Sequence, residues 1–110
     1  MKMLLYPCPY LENNVEMTDE RRTHIQTHHP DLIPEYESCI AKTLYDPDLI
    51  RTSSRYSNAK IFSKWFNSVK KGKYIVVVVV SDSYPHERHW IITSYISRKL
   101  SKGGILWKKT

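Results

Sequence analysis

Cysteine is scarce in this 110-residue chain, and Cys8 and Cys39 are the only two. Two thiols are too few for a disulfide framework or a four-ligand zinc site. Free thiols in a reducing compartment are expected rather than a single Cys8–Cys39 bridge. Long apolar runs are missing as well. Met3-Leu4-Leu5-Tyr6 is halted by Pro7 and Pro9, which is too short for a signal-peptide core. The greasiest stretch, Ile75 to Val80, has six residues, against the roughly 20 that a helix needs to span a bilayer. No membrane association is expected, and the cytoplasm is the default location. Repeats and low-complexity tracts are absent too, and the length suits one compact domain with its own core.

Carboxylates all but vanish from the second part of the chain. After residue 48 only Asp82 and Glu87 stand against thirteen lysines and arginines, a net +11, whereas the first 48 residues hold nine acids against four bases, a net −5. A split this sharp predicts an acidic helical layer and a cationic working layer. Lysines also keep sheet edges soluble. Here, however, aromatics and hydroxyls are interleaved with the cations, as nucleic-acid surfaces require.

Residues 1–14, with two prolines and Asn13-Asn14, read as an irregular N-terminal arm, and residues 15–110 as a single domain. Val15 and Met17 suit a short strand. Thr18 offers an N-cap, with Asp19 and Glu20 where negative charge suits a first helical turn. That helix should run to His28 or His29 and stop before Pro30. Asp31 is expected to cap a second helix with Pro34 in its first turn. Its stripe is Ile33, Tyr36, Ile40 and Leu44 at three- and four-residue spacing, and Pro47 ends it.

Strand patterns follow at Asp48–Ser53, Lys60–Phe66, Tyr74–Val80, Arg88–Ile96 and Ile105–Lys108, with Lys70-Lys71-Gly72-Lys73 as a hairpin turn. Arg98–Lys102 suits a helical turn. The valine run should be the central strand, covered at least in part on both faces. The predicted fold is α+β, with two N-terminal helices packed on one face of a three- to four-stranded antiparallel sheet. Alternation puts Trp90, Ile92 and Ser94 on the core face of the fourth candidate strand, and His89, Ile91, Thr93 and Tyr95 on the other. Ile50 should point inward and Arg51 and Ser53 outward. For the 60–66 strand, Phe62-Lys64-Phe66 and Ile61-Ser63-Trp65 serve equally well as the inner set.

Several segments, in order, carry a family pattern. His24-Ile25-Gln26-Thr27-His28-His29-Pro30-Asp31-Leu32 resembles the helix end of the phage-associated barnase–EndoU–colicin–RelE-like nuclease families. Leu44-Tyr45-Asp46-Pro47-Asp48-Leu49-Ile50, with Ser53 beyond, is similar to a later passage of those families, as are Phe62-Ser63-Lys64, the valine run, Ile92-Thr93-Ser94-Tyr95 and Gly104-Ile105-Leu106-Trp107. The match spans about residues 15–108. Ser94 departs from the usual alanine, and the Asp82–Arg88 loop reads as an insertion. The resemblance implies a barnase/RelE-like fold and a metal-independent endoribonuclease, often a toxin or phage-associated protein.

Such cleavage needs a base for the 2′-hydroxyl, cations for the phosphoryl oxygens and an acid for the leaving oxygen. His24 is the first candidate for acid or base. Lys64, Thr93 and Tyr95 complete the candidate catalytic set. Arg51, Ser53, Arg55 and His89 are the candidate phosphate- or RNA-binding residues. His24 and His28 are spaced i, i+4 as zinc ligands can be, but Gln26 and Thr27 lie between them and the glutamate of the helical zinc-protease motif is absent. Neither a metal nor a cofactor is expected. The expected partner is RNA, tRNA or mRNA, with an acidic antitoxin or immunity protein as a further partner. Two other readings stand beside the nuclease: a nucleic-acid-binding module without catalysis, and an interaction protein whose basic face docks an acidic partner.

Overall fold

The computed structural model describes residues 3–100 and 103–110. Nine regular elements follow in order: β1 (Met3–Cys8), β2 (Asn13–Thr18), α1 (Asp19–His28), α2 (Ser38–Tyr45), β3 (Leu49–Thr52), β4 (Ala59–Phe66), β5 (Lys73–Asp82), β6 (Arg88–Ser97) and β7 (Ile105–Lys108). A single 3-10 turn at Pro9–Leu11 joins β1 to β2. The strands form one seven-stranded sheet in the order β1-β2-β6-β5-β4-β3-β7. Neighbours are antiparallel except β2 and β6, which run parallel through the Glu16–Trp90 register.

This corrects the three- to four-stranded antiparallel sheet expected from the sequence. The sheet is mixed and wider, and two of its strands precede the helices. Residues 3–8, read as part of an irregular arm, make β1 because this strand lies at the sheet edge. There Pro7, opposite Asn14, can lack an N–H without breaking a ladder on a second side. The helical turn expected at Arg98–Lys102 falls partly outside the described residues; Arg98 and Lys99 form a bend.

α1 forms as its sequence dictates. The Thr18 side chain accepts a hydrogen bond from the Arg21 backbone N–H at 3.2 Å, satisfying one orphan donor of the first turn. α2 is shorter than expected, starting at Ser38 rather than after Asp31. Residues 30–37 make turns, tied by the Tyr36 N–H to the Leu32 carbonyl at 2.7 Å. Leu32 and Ile33 are consecutive and both fully buried, which a turn achieves more readily than one stripe of a helix. Arg22 then clamps this turn to α1 by donating twice to Glu37, each bond 2.7 Å.

The sheet has two unlike faces. On one, Phe62, Ile75, Val77, Val79 and Ile91 pack with Ile25, Ile40 and Leu44 of the helices. On the other, Ala59, Val78 and Val80 gather Ile61, Trp90, Ile92 and Tyr95, and no apolar helical residue among the described ones joins them. The valines of β5 thus alternate between two apolar clusters. In β4 it is Phe62 and Phe66 that point to the helices.

β6 carries one extra residue. Val78 pairs with Thr93 but Val79 pairs with Ile91, so Ile92 falls outside the ladder. A bulge reverses the pleat parity of everything before it. Thr93 and Tyr95 therefore share the open face with Trp90, whereas His89 and Ile91 turn to the opposite one. This corrects the expectation that His89 and Ile91 lie with Thr93 and Tyr95, and that Trp90 lies with Ser94. Ser94 does point inward, fully buried, donating to the Val76 carbonyl at 2.7 Å. No helix among the described residues is long and apolar enough to cross a membrane.

Candidate phosphodiester-binding cleft

The open face of the sheet is not flat. Cross-strand register sets Ile61, Val78 and Thr93 side by side as a floor, with Tyr95 two residues further along β6. α1 leaves β2 beside β6 and plugs Ile25 into the helix-side core. That orientation turns Arg21 and His24, one helical turn apart, toward the floor. The third wall is the β3–β4 loop. The Ser53 hydroxyl accepts from the backbone N–H of both Arg55 and Tyr56 at 3.1 Å, a side-chain-closed turn that folds Arg55 and Tyr56 over the floor. Together these elements enclose a cleft of about 430 Å³, a size suited to a small ligand or one nucleotide.

The chemistry of the lining is one-sided. Arg21 and Arg55 supply cations, His24 an imidazole, and Ser53, Ser54, Tyr56, Thr93 and Tyr95 supply hydroxyls. No carboxylate is among the described lining residues. Glu20 reaches Arg21 from outside at 3.4 Å, and Arg21 also donates to the Ile92 carbonyl at 3.2 Å. Partial burial holds the His24 imidazole below the ordinary histidine value, and the neighbouring His28, Arg21 and His29 push it the same way. His24 is therefore neutral at pH 7 and able to accept a proton. Its ring stacks at 4.2 Å on His28, whose Nδ1 lies 2.9 Å from the His24 carbonyl oxygen. No third metal-ligating side chain joins this pair among the described residues.

Of the residues singled out from the sequence, five converge here: His24, Ser53, Arg55, Thr93 and Tyr95. Three do not. Lys64 shares its strand face with Phe62 and Phe66, so it projects to the helix side, where it pairs with Asp46 at 3.2 Å and Asp48 at 3.5 Å. Arg51 does lie on the open face, opposite Ile61, but it is only 3% exposed. The Gly103–Gly104 segment covers it, so close that a Cβ on Gly103 would stand 2.8 Å from the Thr52 carbonyl oxygen. His89, turned away by the bulge, is 5% exposed and lies between the Ser81 hydroxyl at 2.6 Å and Glu87 at 2.8 Å. It secures the β5–β6 connection instead of meeting a ligand.

Three polar lining residues, Arg21, Ser54 and Tyr56, escape the sequence reading. Arg21 is three residues before His24, and helical spacing alone would have placed it beside that histidine. Tyr56 gives no signal beyond following a serine at the i, i+3 spacing of a side-chain-closed turn. No family model, no curated protein and no solved structure matches this chain.

Proposed function

We propose that this cleft binds the RNA backbone and cleaves it without a metal ion, as the resemblance to the barnase–EndoU–colicin–RelE-like families suggests, with the protein acting in the cytoplasm. The observation that carries the reading is the meeting of His24 with two arginines and three other candidate residues, Ser53, Thr93 and Tyr95, in one cleft whose described lining holds no carboxylate. Divalent cations of the magnesium type seek carboxylate and other oxygen ligands. This lining is built instead to receive an anion.

The roles follow from position and chemistry. Neutral His24 takes the proton of a ribose 2′-hydroxyl, and that oxygen attacks the adjacent phosphorus. Arg21 and Arg55 hold the non-bridging oxygens as charge grows on them, and Thr93 adds a hydroxyl donor. The Tyr95 phenol gives its proton to the departing 5′ oxygen. The products are a 2′,3′-cyclic phosphate and a 5′-hydroxyl, and Tyr95 recovers its proton from solvent as His24 releases one. Tyr56, exposed on the loop, offers a ring on which a base can stack. Arg51, Lys64 and His89 have no part in this scheme.

Mixed RNA incubated with the protein in EDTA should yield cyclic-phosphate ends. His24→Ala should slow this by roughly 10²–10⁴-fold, the usual worth of a general acid or base, with its circular dichroism unchanged. Salt-sensitive binding with intact RNA after long incubation would reduce the cleft to a binding module. Absence of RNA affinity together with co-purification of a small acidic protein would replace the reading by a protein-docking one.

A further inference from the structure

A second cavity opens off the cleft, of about 360 Å³, lined by Thr18, Glu20, Arg21, Arg88, Trp90 and Ile92. Arg21 and Ile92 line both spaces, so the two are compartments of one groove divided by that pair. The β6 bulge builds the divide. Ile92 lies outside the β5–β6 ladder, and its carbonyl accepts the Arg21 guanidinium instead. Trp90 is on the same sheet face as Thr93, one register row along, opposite Val80. Two residues of strand advance about 7 Å, a distance comparable with the step between successive phosphates of an extended strand.

The far compartment differs from the cleft in charge. The Arg88 guanidinium carbon lies 5.3 Å from the Trp90 ring centroid. Glu16 fixes Arg88 by accepting from Nε at 3.0 and 3.1 Å. Arg88 is matched by Glu16, and Glu20 stands in the lining of this compartment itself, which leaves little net attraction for a phosphate there. What remains is a tryptophan ring carrying a planar cation of fixed orientation. Aromatic rings and guanidinium planes are the surfaces on which unstacked RNA bases lie.

We propose that this compartment is a base-stacking subsite. It takes the next nucleobase beyond the dinucleotide that spans the cut, on the Trp90–Arg88 pair, while Arg21 bridges to the phosphate in the cleft. The substrate class is therefore single-stranded RNA, since a base held in a duplex stack cannot enter. This inference rests on the reading of the cleft as an RNA site.

The test is equilibrium binding of uncleavable 2′-O-methyl oligonucleotides, a dinucleotide and a tetranucleotide, to the full chain. Trp90→Ala should weaken tetranucleotide binding roughly 5- to 150-fold, the worth of one stacked base, and leave dinucleotide binding unchanged. Trp90→Phe should restore most of the loss. Arg88→Gln, which leaves the tryptophan packed on the sheet, should show the same length-selective weakening if Trp90→Ala does not fold. Equal weakening at both lengths, or none at either, would overturn the subsite. Length-selective binding by a protein that leaves unmodified RNA intact would sink the cleavage reading alone. Failure of the wild type to bind either oligonucleotide would overturn both.

Discussion

The two faces of the sheet use the same strands to different ends. Under the helices, Ile75, Val77 and Val79 of β5 form a buried apolar row, and the nearby cation Lys64 is neutralised by Asp46 and Asp48. On the open face the apolar floor is only partly covered, and Arg21, His24 and Arg55 rim it. The contrast changes what the charge split along the chain means. Four cations of the basic segment are answered by acids of the first 48 residues: Lys64 and Lys109 by Asp46, Lys70 by Asp31, Arg88 by Glu16. One of the cleft's two arginines, Arg21, and its histidine, His24, come from the acidic segment. A run of basic residues in sequence is thus a poor map of where an anion would bind.

The comparison can be broken by substitution on either side. The largest effect is expected at the sites that differ most: His24→Ala should cut kcat/KM for RNA by roughly 10²–10⁴-fold, and Lys64→Ala should leave it unchanged. A comparable loss at Lys64 would place the working face under the helices. Next is stability. Phe62→Ala, at a fully buried position of the helix-side core, should cost about 3–5 kcal/mol in denaturant unfolding. Ile61→Ala, half-exposed on the adjacent strand position, should cost clearly less. Smaller again is the salt response: Arg21→Ala and Arg55→Ala should each lower the slope of log affinity against log salt by about 1, and Lys70→Ala, held by Asp31 across the fold, should not. The pH profile sharpens the picture last. A base must be neutral to act, so activity falls as pH drops through the His24 pKa. Because that pKa is held below its ordinary 6.5, the midpoint of the acid limb should lie under 6.5. A midpoint above it would remove His24 as the base.

Local signals made much of this readable in the sequence. Thr18, Asp19 and Glu20 announced α1, Pro30 its end, and the β-branched runs announced β4, β5 and β6. What escaped was decided by tertiary context. β1 looked irregular because Pro7 and Pro9 argue against a strand, and only an edge position removes that objection. The α2 boundary moved because Leu32 and Ile33 reach the core from a turn. The bulge at Ile92 was invisible, since nothing in Ile91-Ile92-Thr93 marks a residue that drops out of register, and one skipped residue sent His89 to the other face. In the candidate site, Thr93 and Tyr95 were picked out by strand alternation and their hydroxyls, and His24 by its chemistry and its place in the family pattern. Arg51 and Lys64 were misplaced because charge in sequence does not show which cations the fold will cover or pair. Arg21 was overlooked for the converse reason, being counted with the acidic segment.

The central claim is that RNA meets the open face between α1 and the β3–β4 loop. Titrating an uncleavable 2′-O-methyl oligonucleotide into isotopically labelled protein and following its NMR resonances tests this most directly. The account predicts that shifts cluster at Arg21, His24, Ser53 to Tyr56, Thr93 and Tyr95, and leave Asp46, Lys64 and Lys109 untouched. Shifts centred on Lys64 and Lys109, with His24 and Thr93 silent, would contradict it.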